Sequence, residues 1–113
     1  MKMAEPLPRD LLPGTLYMMI LRTLQDQPLH GYAIAKRIRD WSRGDLEIDD
    51  GSLYPALNRM LVKGWLKAEW GTSDNNRSAR FYRLTASGRK HLEHESTTFN
   101  QMIKAIQLVM AAR

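Results

Sequence analysis

Apolar residues along this chain follow a helical spacing three times and then switch to alternation. After Pro13 and Gly14, the residues Leu16, Met19, Ile20, Thr23 and Leu24 recur at intervals of three and four, and the pattern stops at Asp26-Gln27-Pro28. This predicts a helix from about Pro13 to Gln25. A second helix starts at His30-Gly31, turns Ile34, Ile38 and Trp41 inward, and fades at Ser42-Arg43-Gly44. The stretch DLEIDD, residues 45–50, follows as a polar connector with room for one extended residue pair. A third helix runs from Gly51 to Lys63 and is closed by Gly64 as its left-handed cap.

Beyond Gly64 the period becomes two. In WLKAEWG, residues 65–71, Leu66, Ala68 and Trp70 alternate with Lys67 and Glu69; in ARFYRLT, residues 79–85, Tyr82 and Leu84 alternate with Phe81 and Arg83. These are two strands with an inward and an outward face each. The run TSDNNRS between them holds turn formers and no apolar residue, so the pair closes as a hairpin with a polar tip. Thr85 then caps a last helix that reaches Arg113. The result is a mainly α fold with a small β-hairpin, in the α+β class, and its element order is that of a winged helix-turn-helix followed by a C-terminal dimerisation helix. The expected division is a DNA-binding unit over residues 1–86, with an N-terminal extension over 1–12, and the dimerisation helix over 87–113, all in one compact unit.

The third helix has an unusual outer face. On a wheel at about 100° per residue, Leu53, Leu57, Met60 and Leu61 share a third of the circumference and form the core side. Ser52, Tyr54, Pro55, Asn58, Arg59, Val62 and Lys63 occupy the rest, where an ordinary surface helix carries lysines and glutamates. Pro55 is tolerated because an N–H in the first turn has no intrahelical partner. Gly51 and Ser52 leave the terminal N–H groups uncrowded, which suits a phosphate. In a winged helix-turn-helix this helix enters the major groove and the wing lies along the backbone or minor groove. Asn58 then suits adenine, Arg59 guanine, and Tyr54 a phosphate or a thymine methyl. Each has an ordinary structural reading as well: Tyr54 half-buried against the second helix, Arg59 paired with Asp49 or Asp50.

Charge supports the same surface. Residues 1–50 carry 7 Lys+Arg against 8 Asp+Glu, residues 51–90 carry 8 against 2, and residues 91–113 carry 2 of each. The excess lies in the segment holding the third helix and the hairpin, with Lys63, Arg77 and Arg80 as backbone contacts, the footprint of a polyanion-binding surface. The absence of cysteine excludes disulfides, thiolate metal sites and thiol nucleophiles. The longest apolar stretch, Leu16 to Leu21, is too short to span a bilayer. The composition therefore reads as a small soluble cytoplasmic domain with no membrane partner and no cofactor.

Four segments, HGYAIAKRI, GSLYPALNRM, KGWLKAEWG and RFYRLTASG, together resemble the PadR family of bacterial transcriptional regulators, and the likeness covers nearly the whole chain. The resemblance implies a homodimeric winged-helix repressor, with the third helix and wing on double-stranded operator DNA and the C-terminal helix serving dimerisation. The single helix after the wing is similar to the short-tailed branch of that family. The chain departs from the family pattern at Val62, where an acidic residue is usual, and at Arg77-Ser78, where two adjacent arginines are common. Arg77 and Arg80 are left to supply the wing's grip.

In the last helix, Leu92, Ser96, Phe99, Ile103, Ile106 and Met110 are spaced four, three, four, three, four. This is a heptad seam, and at 1.5 Å per residue the helix is about 40 Å long, longer than a small winged domain is wide. Its far half needs a second copy; packing back on the first helix is the ordinary alternative, and both are expected, with the helices Pro13 to Gln25 and Ala86 to Arg113 of two subunits forming one interface. Phe99 stands where some drug-sensing relatives of the resembled family place an aromatic residue at the dimer axis, which implies a stacking site for a small aromatic effector. A plain core phenylalanine is the ordinary alternative.

Two other function classes are weighed against DNA binding. His91 and His94 are spaced to share a metal, as a metal-dependent enzyme would require, but no third ligand, Gly-rich phosphate loop or nucleophile beside a base is evident. A winged helix used only for protein contacts is the other rival; Arg59, Lys63 and the wing arginines argue against it.

Overall fold

The computed structural model describes residues 13–113, so the extension expected over residues 1–12 lies outside the described residues. The first helical spacing produces α1 (Pro13–Thr23), which together with the turn that follows buries Leu16, Ile20, Leu21, Thr23 and Leu24. Met19, expected inside, is only half-buried, and Leu21 takes its place. The Thr23 hydroxyl donates to the Ile20 carbonyl at 2.7 Å, so this buried polar side chain is satisfied. α1 ends two residues before Gln25 because the N–H groups of Leu24 and Gln25 turn back to the Leu21 and Arg22 carbonyls, tightening the last turn.

A two-residue strand, β1 (Leu29–His30), leads directly into α2 (Gly31–Trp41). Sequence reasoning places an extended pair in residues 45–50 instead, and none forms there; Leu46 and Ile48 tuck against the core edge. A strand of two residues is too short to show a period. α2 buries Ile34 and Ile38 as expected, but Trp41 is half exposed. Arg22 and Arg37 stand 5.0 and 5.2 Å from its ring centre, so cation–π contact rather than burial holds the indole. Arg37 also donates to Asp26 at 2.9 Å and to the Thr23 carbonyl at 3.1 Å, tying α2 to the end of α1.

α3 (Asp50–Val62) packs Leu53, Ala56, Leu57 and Met60 with no exposed surface; Leu61 is only partly buried, and Ala56 fills its place on the core face. Gly64 has the left-handed φ of 79° that its capping role requires. β2 (Leu66–Thr72) and β3 (Ser78–Leu84) pair antiparallel, with Leu66 opposite Leu84, Ala68 opposite Tyr82 and Trp70 opposite Arg80. β1 adds to the other edge of β3, giving an antiparallel sheet in the order β1-β3-β2. The described residues thus form four helices and a three-stranded sheet, an α+β winged fold whose hairpin is one part of the sheet. Leu66, Tyr82 and Leu84 are buried on one face, but Trp70, expected to follow them inward, is 72% exposed. The alternation is right and the depth is wrong, because the hairpin runs past the helices that cover its base.

α4 (Ala86–Ala111) begins at a junction joining three elements. The Thr85 hydroxyl donates to the Gly64 carbonyl at 2.6 Å and accepts from the Gly88 N–H at 3.0 Å, while the Thr85 N–H donates to the Trp65 carbonyl at 3.1 Å. Gly88 lies directly on the Trp65 carbonyl oxygen, which a β-carbon at that position would strike. The first part of α4 packs on α1 and buries Leu92; from Thr97 onward every residue is exposed. Next to the junction, Trp65 stacks on His91 at 3.7 Å and meets Tyr17 edge-on at 5.6 Å, with the Lys63 ammonium 5.2 Å from the same indole.

Gly88→Ala is expected to destabilise the chain by about 2 to 3 kcal/mol, because the steric cost at Trp65 exceeds the helix-propensity gain of ~1 kcal/mol. Thermal melting checks this, and a variant as stable as the parent would mean that the junction yields without cost. His91 gives a pH dependence. Burial holds its pKa below the ordinary 6.5, with the nearby Lys63 and His94 charges acting the same way and Glu95 opposing. The unfolded chain takes up this proton more readily, so stability is full above about pH 6.5 and falls below it. Denaturant titrations from pH 7.5 to 5 should show that decline, and His91→Gln should flatten it.

Candidate nucleic-acid interface

α2, the following turn and α3 form the helix-turn-helix, and the β2–β3 hairpin stands beside them as the wing. The wing tip is ordered by two backbone hydrogen bonds, from Ser73 N–H to the Arg77 carbonyl at 2.8 Å and from Asn76 N–H to the Ser73 carbonyl at 2.9 Å, with Asn76 at φ 59°. Asparagine tolerates this left-handed turn better than most residues. Arg77 and Arg80 project from the wing into solvent.

Ser52, Tyr54, Pro55, Asn58 and Arg59 lie on the exposed side of α3 and Lys63 at its C-cap, as the wheel predicts, but Pro55 falls inside the helix and not in its first turn, because α3 begins at Asp50. Their surroundings separate them into two groups. Tyr54 lies across the start of α2, where Gly31 makes room for it: a β-carbon on Gly31 would come within 2.6 Å of the Tyr54 hydroxyl and 2.9 Å of its ring carbons. The ring is thus half-buried against the second helix and still 42% exposed. Burial and the neighbouring Asp50 charge push the phenol's pKa up, so the hydroxyl remains a donor at neutral pH.

Arg59 and Lys63 lean the other way. Arg59 Nε donates to the Tyr17 hydroxyl at 2.6 Å with its guanidinium 5.7 Å from that ring, and Lys63 stands over Trp65. Arg59 is therefore anchored to α1 rather than to Asp49 or Asp50. Asn58 lies between the two groups, exposed and with no side-chain partner among the described residues.

The start of α3 differs from expectation. The Asp49 carboxylate accepts the Ser52 N–H at 2.8 Å, and Asp50 adds a second acid in the first turn. The terminus is already capped by an anion, so it is not the open phosphate seat that Gly51 and Ser52 suggest. α2 starts differently: His30 Nδ1 accepts the Ala33 N–H at 3.2 Å, and its ring meets Phe81 edge-on at 5.3 Å.

Between α2, the first turn of α3 and the wing runs an open groove of about 660 Å³. It brings together Tyr54, Arg77 and Arg80 with His30, Tyr32, Lys36 and Trp70, the last four missed by sequence reasoning. Tyr32 and Lys36 lie on the outer side of α2, which gives no signal distinct from any solvated helix face. Ser52, Pro55, Asn58, Arg59 and Lys63 lie outside the groove. His91 is stacked on Trp65, and no group of three or more potential metal ligands is assembled among the described residues. No helix among the described residues is long and apolar enough to cross a membrane.

Comparison with known proteins agrees with this architecture. A transcriptional regulator of Mycobacterium tuberculosis is 26% identical over 98 residues, covering 87% of this chain and 88% of that protein. The crystal structure of a PadR family transcriptional regulator from Eggerthella lenta superposes with a TM-score of 0.77 at 26% identity, covering 88% of this chain and 85% of that one. A transcriptional regulator from Clostridium thermocellum gives 0.76 at 26% identity, over 83% and 91% of the two chains. The transcriptional regulator PadR-like family itself matches residues 20–94, from the middle of α1 through the wing to the first turns of α4. With residues 20–94, more than half of the chain, matched to it, the chain belongs to the PadR-like family of transcriptional regulators.

Proposed function

We propose that this DNA-binding regulator acts as a homodimeric repressor on a two-fold-symmetric operator, residues 1–86 contacting DNA and residues 87–113 holding the dimer. The observation that carries the DNA reading is the groove between α2, α3 and the wing, lined by three cations and beside an α3 face that the core does not use. α3 enters the major groove with Asn58 and Arg59 reading base edges, and Ser52, Tyr54, Pro55 and Lys63 fit the helix against the backbone. Arg59 keeps its terminal amines available while Nε holds Tyr17, a geometry that pre-orients the guanidinium. Arg77 and Arg80 hold the flanking phosphates.

Dimerisation is supported by the apolar surface that α4 leaves uncovered. Phe99, Ile103 and Ile106 are 36–48% exposed and Met110 is 78% exposed, while Leu92 at the near end of the seam is buried in its own domain. Met102, Leu108 and Val109 widen the apolar surface beyond the single seam read from sequence. A stripe of this length, left open, fits a second copy across a two-fold axis. Phe99 also lines an apolar groove of about 280 Å³ between α1 and α4, with Met18 and Met102. A planar aromatic effector stacked there sits at the proposed interface and releases the operator by altering the spacing of the two α3 helices.

Duplex binding by the wild-type dimer should weaken with salt at a log–log slope near minus 6 to 10, reflecting ~6 to 10 neutralised phosphates. Arg77→Ala with Arg80→Ala should lower the slope and weaken all sequences alike. Asn58→Ala should instead cost ~1 to 3 kcal/mol on a selected operator and leave random duplex nearly unaffected. A fluorescence titration that finds no duplex binding at low salt rejects the function, and an unchanged operator-to-random ratio in Asn58→Ala rejects the base-reading role.

The dimer is tested separately. Ile103→Ala with Ile106→Ala removes packing worth ~2 to 5 kcal/mol per enclosed side chain, and symmetry doubles the loss. Sedimentation at micromolar concentration should show a shift toward monomer with the monomer fold intact. A double variant that stays dimeric places the interface elsewhere.

A further inference from the structure

Trp70 is the most exposed aromatic side chain among the described residues. The strand alternation sends it to the face of Leu66 and Ala68, and those two are covered by the helical body whereas Trp70, one step farther out, is not. Directly across the ladder stands Arg80, which also lies 5.8 Å over the Tyr82 ring. Trp70 and Arg80 form one wall of the groove described above, and Tyr32, itself 69% exposed, stands on the opposite wall with Lys36. Asp74 is the only acidic residue in the lining, against three cations. The chemistry that fits such a channel is a polyanion carrying flat apolar faces between its charges. A sugar-phosphate strand is one: phosphates meet the cations, and deoxyribose rings meet the aromatic walls.

We infer that Trp70 is a DNA-contacting residue, packing its indole on the deoxyribose edge of the duplex minor groove while Arg80 beside it holds the adjacent phosphate. The inference rests on the DNA-binding reading and adds to it an apolar contact that positions the wing. In a paired duplex the base faces are stacked and closed to the indole, so the sugar edge is the apolar surface within its reach. An exposed tryptophan serves this purpose because it offers a large rigid area at small entropic cost.

Because an uncharged side chain displaces no counterion, Trp70 and Arg80 are separable by salt. Trp70→Thr, which keeps the strand preference, should weaken duplex binding about tenfold at every salt concentration with the slope unchanged. Arg80→Ala should weaken binding and lower the slope. Trp70→Phe should recover most of the affinity. Independently of these variants, a Trp41→Phe chain, which leaves Trp70 as the main accessible indole, should lose iodide quenching when duplex is added. Wild-type affinity in Trp70→Thr, or quenching that duplex does not change, overturns the inference while the DNA-binding function stands. A wild-type chain that binds no duplex at low salt overturns both. Tighter binding to a single-stranded oligonucleotide than to duplex, lost in Trp70→Thr, overturns the sugar-edge placement in favour of stacking on unpaired bases.

Discussion

The close approach of Gly88 to the Trp65 carbonyl is the constraint on which the remaining geometry depends. At that point the end of α3, the start of β2 and the start of α4 meet within a few residues, and Thr85 joins them through its hydroxyl and its N–H. A side chain at residue 88 would push α4 away from the turn. With glycine there, the direction of the long helix is set relative to α3 by backbone contact, which is stiffer than contact between side chains. A dimer built on α4 therefore fixes where two α3 helices stand. The stack of His91 on Trp65 and the edge contact to Tyr17 extend the same junction to α1, and Arg59 on α3 completes the circuit through its bond to Tyr17.

The two helices of the helix-turn-helix treat an approaching phosphate differently. α3 opens on Asp49 and Asp50, so its positive end is already compensated and repels a second anion. α2 opens on the His30 ring as its cap acceptor, with no acid in its first turn, and its first turns form part of the groove wall with Lys36. Field and cations thus favour an anion between α2 and the wing over one at the start of α3. Tyr54 links the two regions: it is held by Gly31 on α2, and its neutral hydroxyl points toward the groove residues.

The chain's helix boundaries, caps and face assignments were largely legible in its residues because they depend on local physics. Three- and four-residue spacing marked α1, α2 and α3 to within two residues, Gly64 announced its left-handed φ, Thr85 its cap, and the alternation around Tyr82 and Leu84 its sheet face. The outward set on α3 followed from the same wheel, since a helix fixes which residues share a face once its period is known.

What the tertiary structure alone decided is depth and neighbourhood. Trp41 and Trp70 fall at inward positions of their patterns yet stay half or more exposed, because periodicity gives a direction and not the distance to which other elements cover it. β1 exists because β3 offers it a free edge, which no property of two residues could reveal. Arg59 pairs with Tyr17, 42 positions away, rather than with the acids near it in sequence. The groove gathers residues from α2, α3 and the wing, and its residues His30, Tyr32, Lys36 and Trp70 have no mutual spacing to read. The sequence by itself determined the four helices, the hairpin, most of their faces and the family; the added strand β1, which side chains meet, and which aromatic rings stay open depended on how far each element extends past its neighbours, a quantity that exists only once the chain is folded.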